Sequence, residues 1–206
     1  MTRPSGSLPS NVLLVEGVND KHVVRHICQR LEVAISFCTK EKDSVEQVLD
    51  AIDTEIQAPD LQAMGILVDA NDDVGARWEA VKGRLALANV ALPNNPVPAG
   101  TIIDGDPRVG VWLMPDNRST GELENFVAEM IPCQDPNWPL SRAYIDGIPC
   151  AERKFSKKKK LRAQVHAWLA AREDPRQMGT AIRAHDLNVD GALCQAFVCW
   201  LERLFG

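Results

Sequence analysis

The sequence lacks several patterns that would point to a function class at once. Its six cysteines form no Cys-x-x-Cys pair and show no zinc-ligand spacing, so a zinc centre is not indicated. No run of about 18 apolar residues occurs, and we therefore expect no membrane span and no membrane partner. The phosphate-binding pattern Gly-x-x-x-x-Gly-Lys-Ser/Thr is also missing, so ATP use is not indicated.

The start of the chain lacks the apolar segment of a secretion signal. Met1–Ser10 is polar and rich in Pro, Ser and Gly, and we interpret it as a loose tail. Without a secretion signal, reduced thiols are the ordinary state of the cysteines. The sequence therefore predicts a cytoplasmic protein.

The composition is that of an ordinary globular protein, with 45% hydrophobic and 25% charged residues among 206. The net charge of −5 conceals an asymmetry. Residues 1–150 carry 12 Lys and Arg against 22 Asp and Glu, whereas residues 151–206 carry 11 against 6. An acidic site beside a basic region suits a polyanion held near metal ions, so nucleic acid is the expected partner. Solvated surface charge is the alternative explanation.

The first half of the chain alternates apolar strands with helices. Strands are predicted over Asn11–Val15, Ala34–Cys38 and Ala63–Val68, because each is a short apolar run with β-branched members. Apolar residues at helical spacing follow each of these strands. The alternation predicts the α/β class, with a Rossmann-like, mostly parallel sheet between two layers of helices.

The later elements extend this core. Thr101–Ile103 and Val109–Met114, separated by a short Gly/Pro turn, predict an added hairpin. The segments that follow are a helix over 122–130, a turn-rich stretch over 131–148, and helices over 155–171 and 191–205. We therefore divide the chain into a tail (1–10), an α/β core (11–130) and a helical C-terminal extension packed on the core as a cap (131–206).

Acidic residues follow the predicted strands, at the edge where open α/β sheets build their sites. Because carboxylates held together repel one another, a cluster there indicates a bound cation. Mg²⁺ or Mn²⁺ is the expected cofactor, since hard divalent cations prefer oxygen ligands. The candidate metal ligands are Glu16, Asp20, Asp69, Asn71, Asp72, Asp73, Glu122 and Glu124.

A purely structural role is an alternative for most of these residues. Asp20, Asp72 and Asp73 suit helix caps, and the two later glutamates suit the first turn of a helix. Glu16 and Asp69 differ, because each directly follows an apolar run. A half-buried carboxylate is costly unless it is paired or bound to a metal.

Two motifs resemble the Toprim domain, which topoisomerases, bacterial primases, recombination-repair proteins and OLD-family nucleases share. They are Leu14-Val15-Glu16-Gly17 with Asp20, and Leu67-Val68-Asp69-Ala70-Asn71-Asp72. The rest resembles an uncharacterised Toprim-related, OLD-nuclease-like family of bacterial and archaeal proteins, through residues 111–117, 121–126, 159–169 and 197–201. The resemblance implies a three-layer Toprim-like fold. It also implies an Mg²⁺ site for phosphodiester chemistry, with a Glu after the first strand and Asp-x-Asp after a later one.

The chain departs from the Toprim pattern at one position. Where the pattern has Asp-x-Asp, this chain has Asp69-Ala70-Asn71, and Asn offers a neutral oxygen without a charge. Three outcomes stay open: a lower metal affinity, replacement by Asp72 or Asp73, or a degraded site.

Four consecutive lysines, Lys157–Lys160, stand at the start of a predicted helix, where the helix dipole disfavours cations. OLD-type nucleases are similar in having a lysine downstream of the acidic motifs. The resemblance therefore implies that Lys159 or Lys160 acts with Glu16 in catalysis and stabilises developing charge. A solubilising surface run is the alternative.

The leading hypothesis is an Mg²⁺-dependent phosphodiesterase or nuclease that acts on nucleic acid. In this hypothesis one metal is bound by Glu16, Asp20, Asp69 and either Asn71 or Asp72, and Glu122 or Glu124 assists a second. A non-catalytic binding module, working with a separate protein partner in a DNA repair or phage-defence assembly, is the first alternative. A receiver-like signalling domain with Asp69 as phosphoacceptor is the second.

Overall fold

The computed structural model describes residues 11–206, and the predicted tail Met1–Ser10 lies outside the described residues. The fold is α/β, with a five-stranded, mostly parallel sheet between two layers of helices, which confirms the predicted class. In spatial order the strands are β2 (Cys38–Glu41), β1 (Asn11–Val15), β3 (Ala63–Asp69), β5 (Arg108–Met114) and β4 (Thr101–Ile103).

Alternate side chains of the central strands enter two separate cores. Leu13 and Leu67 face the first core, whereas Leu14 and Ile66 face the second. All four are fully buried. Burial on both faces explains why β1 and β3 are continuous apolar runs in the sequence.

Three helices connect the parallel strands and cover both faces of the sheet. The first, α1 (Val18–Arg30), covers the first core, and α2 (Val45–Glu55) and α3 (Val74–Leu87) cover the second. Ser44 caps α2 through a hydrogen bond from Gln47 N, as its place before the apolar pattern suggests. None of the helices within residues 11–206 is long and apolar enough to cross a membrane.

The second strand begins later than predicted. It spans Cys38–Glu41, so the prediction of a strand over Ala34–Cys38 is wrong. β2 pairs only with β1 at the edge of the sheet, where charged side chains such as Lys40 keep contact with water. The apolar residues that suggested an earlier strand, Ile35 and Phe37, pack instead against the first core.

β4 and β5 form the predicted hairpin, with Thr101 opposite Val111 in an antiparallel register. β5 is also parallel to β3, and this pairing sets Met114 opposite Asp69 at the carboxyl edge of the sheet. The chain that leaves β5 therefore starts beside the end of β3. This position brings the following helix to the same edge.

Five more helices follow the hairpin, and three of them differ from the sequence prediction. One lies in the segment predicted as turns and buries only Ser141 and Ile145, so its apolar periodicity is weak. A short helix near residue 180 was not predicted, and a 3-10 turn over Lys157–Lys159 delays the start of the basic helix. The helices are α4 (Leu123–Ala128), α5 (Asn137–Gly147), α6 (Lys160–Ala170), α7 (Met178–Arg183) and α8 (Ala192–Phe205).

The last helix, α8, forms part of the layer over the first core. The Leu204 side chain lies so close to Gly110 of β5 that an added Cβ would approach it to 2.6 Å. Trp200 Nε1 donates a hydrogen bond to Thr101 O at 3.2 Å. A glycine in β5 therefore lets α8 approach the sheet closely.

Candidate functional site

Two parallel strands deliver two carboxylates to the same place. β1 and β3 are neighbours, and their register sets Val15 opposite Leu67, so Glu16 and Asp69 leave the sheet at one edge. Glu16 Oε1 accepts a hydrogen bond from Asp69 N at 2.7 Å. Asp69 Oδ1 in turn accepts one from Leu123 N at 3.0 Å, at the start of α4.

Asp20 adds a third carboxylate from the first turn of α1. Its Oδ2 accepts a hydrogen bond from Gly17 N at 3.0 Å. The N-cap of α1 is Gly17, so the prediction of Asp20 as the cap is wrong, and Asp20 is an acid of the first turn that bonds back to the cap residue. Asp20 is only 8% exposed, although acids at the start of a helix usually lie at the protein surface. The charge of Glu16 also acts on it and raises the pKa of Asp20.

The three carboxyl groups have abnormal pKa values for a shared reason. Burial raises the pKa of Asp69 to about 8, and the charges of Glu16 and Asp20 add to the effect. Burial and the charge of Glu16 raise the pKa of Asp20 to about 7. Burial also raises the pKa of Glu16, against the hydrogen bond from Asp69 N. A positive charge among them would offset both the cost of burying the carboxylates and their mutual repulsion.

This group, named here the open acidic cluster (Glu16, Asp20 and Asp69), has no ion pair with any other residue of the range 11–206. Its hydrogen bonds come from backbone N–H groups. Within the same range, Glu16 Oε2 and Asp69 Oδ2 accept no hydrogen bond. The cluster is therefore acidic and lacks an internal counter-ion.

A second acidic pair, Glu122 and Glu124, lies at the start of α4 and is paired with cations. Lys159 bonds to Glu122, and Arg162 lies 3.6 Å from Glu122 and 3.3 Å from Glu124. His166 Nε2 lies 3.3 Å from Glu124. Although burial opposes it, the His166 hydrogen bond and the Arg162 charge lower the pKa of Glu124. We name this group the paired acidic cluster.

Asn71 has a backbone reason to be asparagine. Its φ of 54° lies in the left-handed region, which Asn adopts more readily than most residues. Asn71 N donates to Gly121 O at 2.7 Å, and Gly121 N donates back to Asn71 O at 2.8 Å. The side chain lines a cleft of about 220 Å³ together with Asn125, Ser156 and Lys159, among others.

The remaining predicted residues have other partners. Asp73 Oδ1 accepts from Ala76 N at 2.9 Å and caps α3. Asp72 is exposed and pairs with Lys158 at 2.6 Å. Lys160 pairs with an aspartate of α5 at 2.8 Å, whereas its neighbour Lys159 reaches the paired acidic cluster. The structure thus brings Glu16, Asp20 and Asp69 together and places Glu122, Glu124 and Lys159 beside them. Asp72 lines the adjoining cleft, whereas Asp73 caps a helix and Lys160 pairs with α5.

Three cationic residues at this edge were not predicted. Arg162 and His166 lie one helical turn apart on α6, and this spacing after the four lysines was an available signal. Arg77 Nε donates to Asp69 O at 2.9 Å from the first turn of α3. The position of Arg77 one turn after a cap residue in an acidic loop could have indicated a cation at this edge.

Within residues 11–206, no three or more His, Cys, Asp or Glu side chains converge as they would around a bound metal ion. One oxygen of each of the Glu16 and Asp69 carboxyl groups instead accepts a hydrogen bond from a backbone N–H.

Comparison with known proteins gives one family. The sequence model of the family described as "Protein of unknown function (DUF3226)" matches residues 10–206. No curated protein and no solved structure matches the chain. Because the match spans nearly the whole sequence, including every residue of both acidic clusters, the chain belongs to the DUF3226 family.

Proposed function

We propose that this protein is an Mg²⁺- or Mn²⁺-dependent phosphodiesterase of the Toprim type that cleaves nucleic acid. One observation carries the proposal. The open acidic cluster gathers three carboxylates at the carboxyl edge of a parallel sheet, with no ion pair from residues 11–206. Open α/β sheets bind their ligands at this edge.

The donor set suits a hard divalent cation. All three groups offer carboxylate oxygens, which Mg²⁺ and Mn²⁺ prefer. Two of them have pKa values of about 7 and about 8, so they are partly protonated at neutral pH, and a bound cation would replace those protons. A bound divalent ion supplies Lewis acidity and activates water for attack on a phosphodiester.

The paired acidic cluster has a different part in this proposal. Its carboxylates already hold Lys159 and Arg162, so they position cations beside the site instead of binding a second metal. Lys159 then contributes a positive charge where a phosphate develops negative charge. Asn71 offers its amide to substrate from the adjoining cleft.

The basic character of the chain beyond residue 150 supports a nucleic acid substrate. Lys154 and Lys157 are exposed and form no ion pair with another residue of the range 11–206. Lys158 lines the cleft beside the acidic edge. Exposed lysines next to an acidic site suit a polyanion whose backbone extends beyond the reacting phosphate.

The test is cleavage of labelled DNA and RNA, single-stranded and duplex, with Mg²⁺ or Mn²⁺. We expect metal-dependent products from the wild type, and we expect Glu16→Gln to lower the rate by about 100-fold or more. Asp104→Asn is the matched control, because the Asp104 side chain is 96% exposed in the turn between β4 and β5. Inactive wild type, or equal activity of Glu16→Gln, overturns the proposal.

A binding module without turnover is the second candidate. Asn71 favours it, because this residue replaces a charged oxygen of the Toprim pattern by a neutral one. Such a module would bind nucleic acid equally with and without metal, and would act with a protein partner. Binding in EDTA without cleavage under any metal condition distinguishes it from the enzyme.

A cytoplasmic location also stays part of the proposal. All six cysteines are free thiols, and Cys28 and Cys194 are shielded by burial, which raises their pKa values to about 11 and about 12. Unpaired cysteines suit a reducing compartment.

A further inference from the structure

Arg77 is a cation fixed at the acidic edge by a backbone contact. It lies in the first turn of α3, one turn after the cap residue Asp73. Its Nε donates to Asp69 O at 2.9 Å. The guanidinium group is therefore anchored to the last residue of β3, whose side chain belongs to the open acidic cluster.

The remaining nitrogens of Arg77 are free of acidic partners. Within residues 11–206, Arg77 makes no ion pair. Its positive charge nevertheless lowers the pKa of Glu16, and it does so more strongly than the charge of Lys159. Arg84, further along the same helix, instead pairs with Asp50 and lies 3.7 Å from Asp53. Arg77 is also only partly buried, so a ligand can reach it.

A guanidinium held in this way suits a phosphate oxygen. Two terminal nitrogens remain to donate, and their planar arrangement matches the geometry of a phosphate group. The anchor through Nε reduces the side-chain freedom that binding would remove, so recognition costs less entropy. Its anchor is Asp69, whose N–H bonds to Glu16, and this sets the guanidinium group at the edge where the proposed reaction occurs.

We propose that Arg77 binds a non-bridging oxygen of the substrate phosphate, so that the phosphate is held between Arg77 on α3 and Lys159 at the start of α6. The inference rests on the proposed function, because it requires a phosphate over the open acidic cluster. It adds a phosphate-binding residue on the opposite helix from the lysines. The substrate phosphate would thus contact a planar, always charged group as well as a flexible amine.

The experiment compares Arg77→Gln, Arg77→Lys and the control Arg84→Gln. Two probes are used: turnover of bis(4-nitrophenyl) phosphate with Mn²⁺, and anisotropy of a fluorescein-labelled single-stranded DNA with Ca²⁺. We expect Arg77→Gln to raise KM and Kd by about 10- to 100-fold, as expected for a lost charged hydrogen bond. Arg77→Lys recovers part of the loss, and Arg84→Gln stays within about twofold of the wild type.

A merely structural role for Arg77 is separated by rescue. In Arg77→Ala, added guanidinium ion at millimolar concentration should restore part of the turnover if Arg77 binds the phosphate. If Arg77 only holds the Asp69 backbone in place, added guanidinium should restore no turnover. Thermal unfolding of each variant checks that the fold persists.

The possible failures are distinguishable. A wild type that cleaves no substrate under any metal condition overturns the proposed function, and this inference with it. An active wild type with an Arg77→Gln variant of equal KM and Kd overturns this inference alone. An impaired Arg77→Ala variant that guanidinium does not rescue assigns the anchor a structural role, and it also overturns the inference.

Discussion

The open and paired acidic clusters lie at the same edge of the sheet and differ in one respect. Glu124 and Asp20 are similarly buried, at 4% and 8% exposure. Nevertheless, the pKa of Glu124 is lowered while that of Asp20 is raised. Arg162 and His166 account for the contrast, because they supply charge and hydrogen bonds to Glu124. Burial alone therefore does not mark a candidate ligand; burial without an ion pair does.

The contrast predicts the largest effect for removal of the Asp69 charge. We expect Asp69→Asn to raise the free energy of unfolding of the metal-free protein near pH 8 by about 2 kcal/mol, because repulsion with Glu16 and Asp20 disappears. The amide oxygen keeps the hydrogen bond from Leu123 N. Urea unfolding measures the change, and Asp72→Asn on the exposed ion pair is the control. A destabilised Asp69→Asn would contradict net repulsion among the three carboxylates.

The pH dependence of the wild type follows from the same groups. In the folded state the pKa values of Asp20 and Asp69 lie near 7 and 8, above their ordinary value of 3.8. The folded protein thus holds more protons than the unfolded chain, so stability is lost as the pH rises from about 4 to 8. Saturating Mn²⁺ should flatten this loss in the wild type, and Asp69→Asn should reduce it without metal.

Removing a charge from the paired acidic cluster should lower the stability of the protein, in contrast to the gain expected for Asp69→Asn. We expect Arg162→Met to lower the free energy of unfolding by about 1–2 kcal/mol, because Glu122 and Glu124 stay buried with less compensation. The value is below that of a fully buried pair, since Arg162 is 47% exposed. Arg84→Met removes a surface pair and should cost less than about 1 kcal/mol. Equal losses for the two variants would erase the distinction between the clusters.

The smallest expected effect on stability is at Asn71, which lies in the cleft beside the paired acidic cluster. Asn71→Asp should change stability by about 0.5 kcal/mol or less, because Asp also tolerates the left-handed backbone. Asn71→Ala should cost about 1 kcal/mol for the same backbone reason. If Asn71 belongs to the proposed metal site, calorimetry will show several-fold tighter Mn²⁺ binding by Asn71→Asp. Unchanged affinity would restrict the site to the open acidic cluster.

The sequence predicted the sheet well because the signals are local. Continuous apolar runs identified β1 and β3, and the first acidic residues beyond them, Glu16 and Asp69, lie where parallel strands end. β2 was misplaced because an edge strand is only partly apolar, and Ile35 and Phe37 carried the stronger pattern. The weakly amphipathic α5 was missed for a related reason, since few of its side chains are buried.

The division of the acids into two clusters was beyond the sequence. Glu122 and Lys159 are separated by 37 positions, and only the tertiary packing of α4 on α6 brings them together. The role of Asn71 was similarly hidden, because its left-handed backbone depends on a bridge to Gly121 across the site. Local patterns thus located the acidic residues, and long-range contacts decided which of them are neutralised.

The position of α8 beneath the sheet has a consequence for synthesis of the protein. Asn11 at the start of β1 contacts Phe205 across 194 positions, and Trp200 contacts β4 across 99. The part of β3 and β5 that Leu204 covers therefore stays exposed until the ribosome has made α8. Contacts of such long separation slow the search for the native state, so the nascent chain exposes this part of the sheet for longer than a fold with local contacts would.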